Sequence, residues 1–214
     1  MTARPITYAY SLALAVLIIL AGLAPSCGPN PQRTTLLPFS VRIDSPPPEY
    51  FGSTGLHLYA TSHEPDGTFV LDAYCEAVDL YKAYSDLATF FSGDPNAGPG
   101  SDNLDVIPVF GHPRHGEMLA RVPASADAQV VGFLTAEEVS LVARRLAELQ
   151  LETEADVSAR YARLNASVRQ YLSGLTGGSD EETARELAAY VLPLVRFYRK
   201  AAKDEHAVLF VANA

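Results

Sequence analysis

Residues 79–93, DLYKAYSDLATFFSG, with Tyr74, Cys75, Ala77 and Val78 leading into them, place the tightest constraint on what this chain can fold into. At a period of 3.6, Tyr74, Val78, Tyr81, Tyr84, Leu87, Ala88 and Phe91 line up as one broad apolar stripe, while Glu76, Asp79, Lys82 and Asp86 turn mostly away from it. The pattern predicts a core helix with a solvated back. A helix of that kind needs a second layer to cover its stripe.

Strand signals elsewhere supply the layer. Leu56, Leu58 and Ala60 alternate with His57, Tyr59 and Thr61, as a half-buried strand does, and residues 63–67 carry turn chemistry that leads on to the helix. A strand is expected over 104–110, with Pro108 placing it at an edge or a bulge, and short extended runs over 118–122 and 129–133. A final strand over 206–211 is stable only if it pairs within the sheet. Thr135 and Glu138 form a capping box for a helix whose apolar face is Val139, Leu141, Val142, Leu146 and Leu149. One further helix is expected over 154–172, with Val157, Tyr161, Leu164, Val168, Tyr171 and Leu172 on one side and Gly174, Gly177 and Gly178 ending it. Ser179 and Glu182 repeat the capping box before a last helix, in which Pro193 predicts a kink or a restart. The class is α+β, a small mixed sheet packed against several helices, and 214 residues suffice for a single domain with appendages.

The amino terminus bears on localisation. Arg4 is the only charged side chain before Cys27, and residues 6–24 are uncharged, which predicts export. Leu23-Ala24-Pro25-Ser26-Cys27-Gly28 is similar to a bacterial lipobox, which implies lipidation of Cys27 and removal of residues 1–26. An uncleaved anchor over 6–24 and an ordinary cleaved signal are the alternatives. The expected address is the bacterial cell envelope, at the outer membrane if the cell has one, because Gly28 rather than aspartate follows the cysteine. Residues 27–54 are rich in proline and predict a tether, although Phe39, Val41 and Ile43 alternate well enough to add a strand at a sheet edge. The globular domain is expected over 55–214. A net charge of −9 repels phosphate backbones, so no nucleic-acid partner is expected. Lipidation of one of the two cysteines leaves Cys75 as a lone thiol, read as a small buried hydrophobe on the core helix.

Four stretches carry a resemblance to a known family. VDLYKAYSDLATFFSG resembles the central signature of the YfbM-like family of small bacterial proteins, with Val78, Asp79, Leu80, Lys82, Leu87, Phe91 and Gly93 at the positions of the pattern. FLTAEEVSLVARRL and YVLPLVRFYRKAAKDEHAVLFV are similar to later parts of it, and GLHLYATS to its opening strand. Two positions depart: Tyr84 stands where the pattern has tryptophan, and Ala88 where it has histidine. No role of that histidine carries over, and the family has no established activity to transfer.

One polar cluster invites a chemical reading. His112, Arg114, His115 and Glu117 lie in a loop bounded by glycine and proline, and could serve as imidazole ligands, anion clamp and carboxylate. Two histidines and one carboxylate fall short of a zinc site, so no metal is assigned. Neither a Gly-x-Ser-x-Gly elbow nor a phosphate-cradling glycine loop occurs; no catalytic residue and no cofactor is assigned. The carboxylate runs Glu137-Glu138 and Asp180-Glu181-Glu182 fall at helix starts, where negative charge offsets exposed N–H groups. Arg196, Arg199, Lys200 and Lys203 form a helix face near a helix end, and Tyr161, Tyr171, Tyr190 and Tyr198 are read as core and rim. The expected function is non-catalytic, a membrane-tethered domain that binds a protein or cell-envelope partner. A small-molecule-binding or hydrolytic enzyme built on His112, His115 and Glu117 is the alternative, and an immunity or toxin-neutralising role is a third.

Overall fold

Two strands buried on both faces form the centre of the sheet. In the computed structural model, which describes residues 40–43, 54–64, 67–72, 74–98, 104–111, 120–121 and 128–213, β2 (Gly55–His63) pairs antiparallel with β7 (Ala207–Asn213) from Gly55 opposite Asn213 to Thr61 opposite Ala207. The other edge of β2 holds β4 (Ala77–Tyr81) and, further along, β3 (Thr68–Leu71). β1 (Ser40–Ile43) joins β3 in parallel, so the alternating piece of the expected tether does add to a sheet edge. β6 (Ala128–Leu134) lies beside β7, and β5 (Ala120–Arg121) beside β6. The order is β1-β3-β2-β7-β6-β5, with β4 also on β2; the sheet is mixed, as expected.

Leu56, Leu58, Ala60, Val208 and Phe210 face the helices, while Tyr59, Leu209 and Val211 meet Phe69 and Leu71 in a second apolar cluster on the other face. His57, Tyr59 and Thr61 are therefore fully buried, not the wet side of a half-buried strand. Curling of the sheet accounts for this. The Phe69 ring lies 5.2 Å from that of Phe133, centroid to centroid, although β2 and β7 run between their strands.

The helices are α1 (Tyr84–Ser92), a 3-10 turn (Leu104–Val106) running into the short α2 (Ile107–Phe110), α3 (Ala136–Glu148), α4 (Glu154–Arg163), α5 (Ala166–Thr176) and α6 (Asp180–Lys203). α6 is the axis of this layer and packs against α1, α3, α4, α5 and β4, burying Ala184, Leu187, Ala188, Val191, Leu194, Val195, Phe197, Tyr198 and Ala201. Capping boxes start α3 (Thr135 with Glu138), α4 (Thr153 with Asp156) and α6 (Ser179 with Glu182), each side chain accepting from an otherwise orphaned N–H for about 1 kcal/mol. α6 runs through Pro193 without a restart. Pro193 and Ala189, whose carbonyl loses its partner, both lie on the exposed face, where water can serve that carbonyl.

Four expectations are corrected. The helix expected to start near Tyr74 begins at Tyr84; Tyr74 is 94% exposed in a turn, and residues 77–81 form β4. Val78 and Leu80 are buried there and Tyr81 is exposed, so the same residues satisfy a period of 2, and pairing with β2 decides between the two periods. Residues 104–110 are helical, with Pro108 near the helix start, where a missing N–H costs nothing. The helix over 154–172 is two helices, broken where Leu164 turns extended, and Leu141 is 52% exposed rather than part of the apolar face of α3. Strand β3 had no counterpart in the sequence reading. Cys75 sits half-buried in the turn before β4, its Sγ near the Val70 carbonyl, and burial pushes its thiol up to about 11.

Candidate functional site

The chain reverses at the end of β4, and this corner builds a cleft. Asp79 Oδ1 accepts the Tyr81 N–H at 2.6 Å, and Tyr81 takes a left-handed φ of 49°, unusual for a side chain of its size. The ladder shifts at this point, Tyr81 pairing with Leu56 and Asp79 with His57, so a bulge turns Tyr81 and Lys82 outward. Gly55 (φ 139°) lies flat against the corner; a Cβ there would stand 2.6 Å from the Tyr81 carbonyl oxygen. The next residues begin α1, which ends at Gly93 in the left-handed conformation with its N–H on the Thr89 carbonyl.

Between this corner and the α5–α6 pair lies a cleft of about 240 Å³. Tyr81, Lys82, Ala83 and Asp86 form one side; Leu172 and Thr176 of α5 and Thr183, Glu186, Leu187 and Tyr190 of α6 form the other. The Thr176 and Thr183 hydroxyls are 2.8 Å apart and pin the two helices together. Lys82 Nζ lies 5.9 Å from the centre of the Tyr81 ring, within reach of a cation–π attraction. Asp86 accepts from Ser85 Oγ at 3.3 Å, and burial, reinforced by the charge of Glu186, raises its carboxyl above the usual range. Chemically the cleft offers two carboxylates, one ammonium, two phenol rings and an apolar floor.

A second hollow, about 350 Å³, is lined by Ser92, Gly93, Glu148, Arg160 and Arg163 among others. Its central group has structural work: Arg160 Nη2 donates to the Phe91 carbonyl at 2.7 Å, closing the end of α1, and the guanidinium lies over the Phe90 ring.

Of the signature residues, Lys82 reaches the cleft, Asp79 holds the corner and approaches the buried His57 (Nδ1 to Oδ1, 3.1 Å), Leu87 is fully buried and Gly93 caps α1. Tyr84 is 38% exposed, edge-on to Phe110, rather than a pillar of the core. Ala88, in place of histidine, is wholly buried. Cys27 and the loop with His112, Arg114, His115 and Glu117 lie outside the described residues. Among the described residues no three histidine, cysteine, aspartate or glutamate side chains come close enough to hold a metal. Glu138 and Glu182 do serve as capping partners. Within the basic face, Lys200 pairs with Glu76 at 2.6 Å and Arg199 with Glu152. Tyr161 and Tyr198 are buried, their hydroxyls donating to Asp180 and to the Pro108 carbonyl, whereas Tyr171 is partly exposed and Tyr190 lines the cleft. Sequence reasoning missed Asp86 and Glu186. Asp86 was assigned to the solvated back of a helix, and a hundred residues separate it from its counterpart.

No curated protein matches the chain. Among solved structures, the crystal structure of a protein of unknown function, YfbM from Escherichia coli, is similar with a TM-score of 0.46 and 13% identity, over 73% of this chain and 99% of that one. Residues 72–211 match the family described as domain of unknown function (DUF1877). That span takes in residues 78–93, 133–146 and 190–211, three of the four stretches that carry the resemblance, while 55–62 lies before it; on this match the chain belongs to the DUF1877 family.

Proposed function

We propose that the chain is an exported, membrane-attached domain of the bacterial cell envelope that binds a protein partner, with the cleft beside the Tyr81–Ala83 corner as its recognition face. The cleft supports this reading because its charged and aromatic groups come from the family's central segment and from α6, and because a bulge and a left-handed Tyr81 turn them outward. A backbone held in a sparsely populated conformation beside a surface recess favours a functional reading of that recess. Attachment rests on residues 1–27, through lipidation of Cys27 or retention of residues 6–24. Among the described residues no helix is long and apolar enough to cross a membrane.

The test is extraction of the tagged full chain from membranes in detergent, beside the variants Glu186→Lys and Cys27→Ala. A partner retained by the native chain and lost with Glu186→Lys is the expected result, together with failure of Cys27→Ala to be processed. A set of retained proteins indifferent to Glu186→Lys overturns the assignment of the cleft. Native distribution of Cys27→Ala between membrane and soluble fractions, with unaltered mass at the amino terminus, overturns lipidation.

A further inference from the structure

The occupant of the cleft can be narrowed by its charges. Along the first turns of α6 the acidic side chains are committed: Asp180 to Arg169 at 3.7 Å, Glu181 to Arg185 at 3.0 Å and Glu182 to the Ser179 cap. Glu186 comes one turn later and faces the cleft, where Asp86 approaches from α1. Asp86 is half-buried and Glu186 exposed at the rim; their like charges repel, and a cation placed between them removes that repulsion. Burial raises the Asp86 carboxyl above the usual range, and the charge of Glu186 adds to the rise. Phosphate or carboxylate ligands would meet the same field as a penalty.

The walls suit a side chain rather than a metal ion or a folded element. Leu172 and Leu187 give apolar lining for an alkyl stem, and Tyr81 and Tyr190 give aromatic rings beside it for its charged head. The rim already displays this pairing, with the Lys82 ammonium near the Tyr81 ring. About 240 Å³ admits one long side chain.

We infer that the cleft binds a primary alkylammonium or guanidinium group, as presented by a lysine or arginine side chain of the partner, between Asp86 and Glu186 and against Tyr81 and Tyr190. The inference rests on the cleft being the recognition face. Lys82 opposes the incoming cation by like charge and tunes affinity downward.

The experiment titrates the full chain in detergent with three probes: acetyl-Gly-Lys-Gly-amide, the same tripeptide acetylated on the lysine nitrogen, and n-butylammonium chloride. Side-chain carboxyl carbon NMR follows Asp86 and Glu186. Saturable shifts with the free lysine peptide and no response to the acetylated one are expected. Asp86→Asn and Glu186→Gln each weaken binding by about three- to tenfold, as expected for partly exposed ion pairs. Lys82→Met tightens it by up to about threefold, a gain that misfolding does not produce. Equal response to the acetylated peptide, no saturable shift with either cation, or no change with Lys82→Met and Glu186→Gln overturns the inference. If the cations fail while a membrane-extracted partner is still lost with Glu186→Lys, this inference falls and the partner-binding reading stands. If they bind while the retained proteins ignore Glu186→Lys, the site serves a free amine and the partner-binding reading falls.

Discussion

Glu182 and Glu186 are one turn apart on α6, and their surroundings are opposite. Glu182 accepts from the Ser179 N–H at 2.8 Å and from its hydroxyl at 2.9 Å, which holds its carboxyl below the usual range. Asp156 is held down in the same way by Thr153. Glu186 instead shares a recess with Asp86, whose carboxyl rises. At the caps the fold surrounds a carboxylate with backbone and hydroxyl donors; in the cleft Asp86 has a single long hydrogen bond from Ser85 and a second carboxylate beside it. Abundance of acidic residues therefore says little about function here, and the partner of each says a great deal.

Substitutions separate the cleft from the caps. The largest effect is expected at Gly55, which supports the corner of the cleft and none of the caps. Gly55→Ala forces a Cβ against the Tyr81 carbonyl at a φ of 139°, and a loss of about 3 kcal/mol in urea-unfolding stability is expected, with weaker binding of cationic probes in whatever remains folded. A wild-type midpoint would show that the corner yields freely. Tyr198→Phe touches neither region and serves as a reference: it strands the fully buried Pro108 carbonyl, for about 1–2 kcal/mol by the same assay, with binding unchanged. Ser179→Ala removes a cap alone, and a fall in thermal midpoint of about 2–4 °C with unaltered probe affinity is expected. Changed affinity would tie the start of α6 to the cleft.

The smallest effects are the most diagnostic, because they have opposite signs. The folded-state pKa of Glu182 is lowered, so its contribution is present above the unfolded value and lost as pH falls through the folded one. Glu182→Gln should therefore destabilise near neutrality and become silent in acid. The folded-state pKa of Asp86 is raised, so stability is fullest below the unfolded value and declines as pH rises through the folded one. Asp86→Asn should stabilise slightly near neutrality and lose that advantage in acid. Urea midpoints of both variants between about pH 3 and pH 7 check the pair, and parallel curves would erase the distinction between the two regions.

Much of the fold was legible from local signals. The two capping boxes read from sequence are both formed, and strands at 55–61, 129–133 and 206–211 appear close to their expected bounds. Errors arose where one stretch satisfies two periods. Val78, Tyr81 and Leu87 fit a helical stripe, yet β2 takes residues 77–81 as a partner, and no count along the chain registers a partner some twenty residues upstream. Pro108 misled in the other direction, since a short helix accepts proline at its start as readily as an edge strand accepts it within. The cleft was half legible. Lys82 belongs to the signature, but Asp86 and Glu186 acquire their meaning only when α1 and α6 are brought together.

The place of β7 carries a consequence for how the molecule is made. β7 follows every other described element in the chain, yet it joins β2 on one side to β6 on the other. Until residues 207–213 are available, the two halves of the sheet have nothing to bridge them, and the second apolar cluster lacks Leu209 and Val211. Closure depends on contacts between segments some 150 residues apart, which makes the final step slow and leaves the growing chain without its finished sheet. A sheet of this order stays open, with β2 and β6 each lacking a neighbour, until its last described strand arrives.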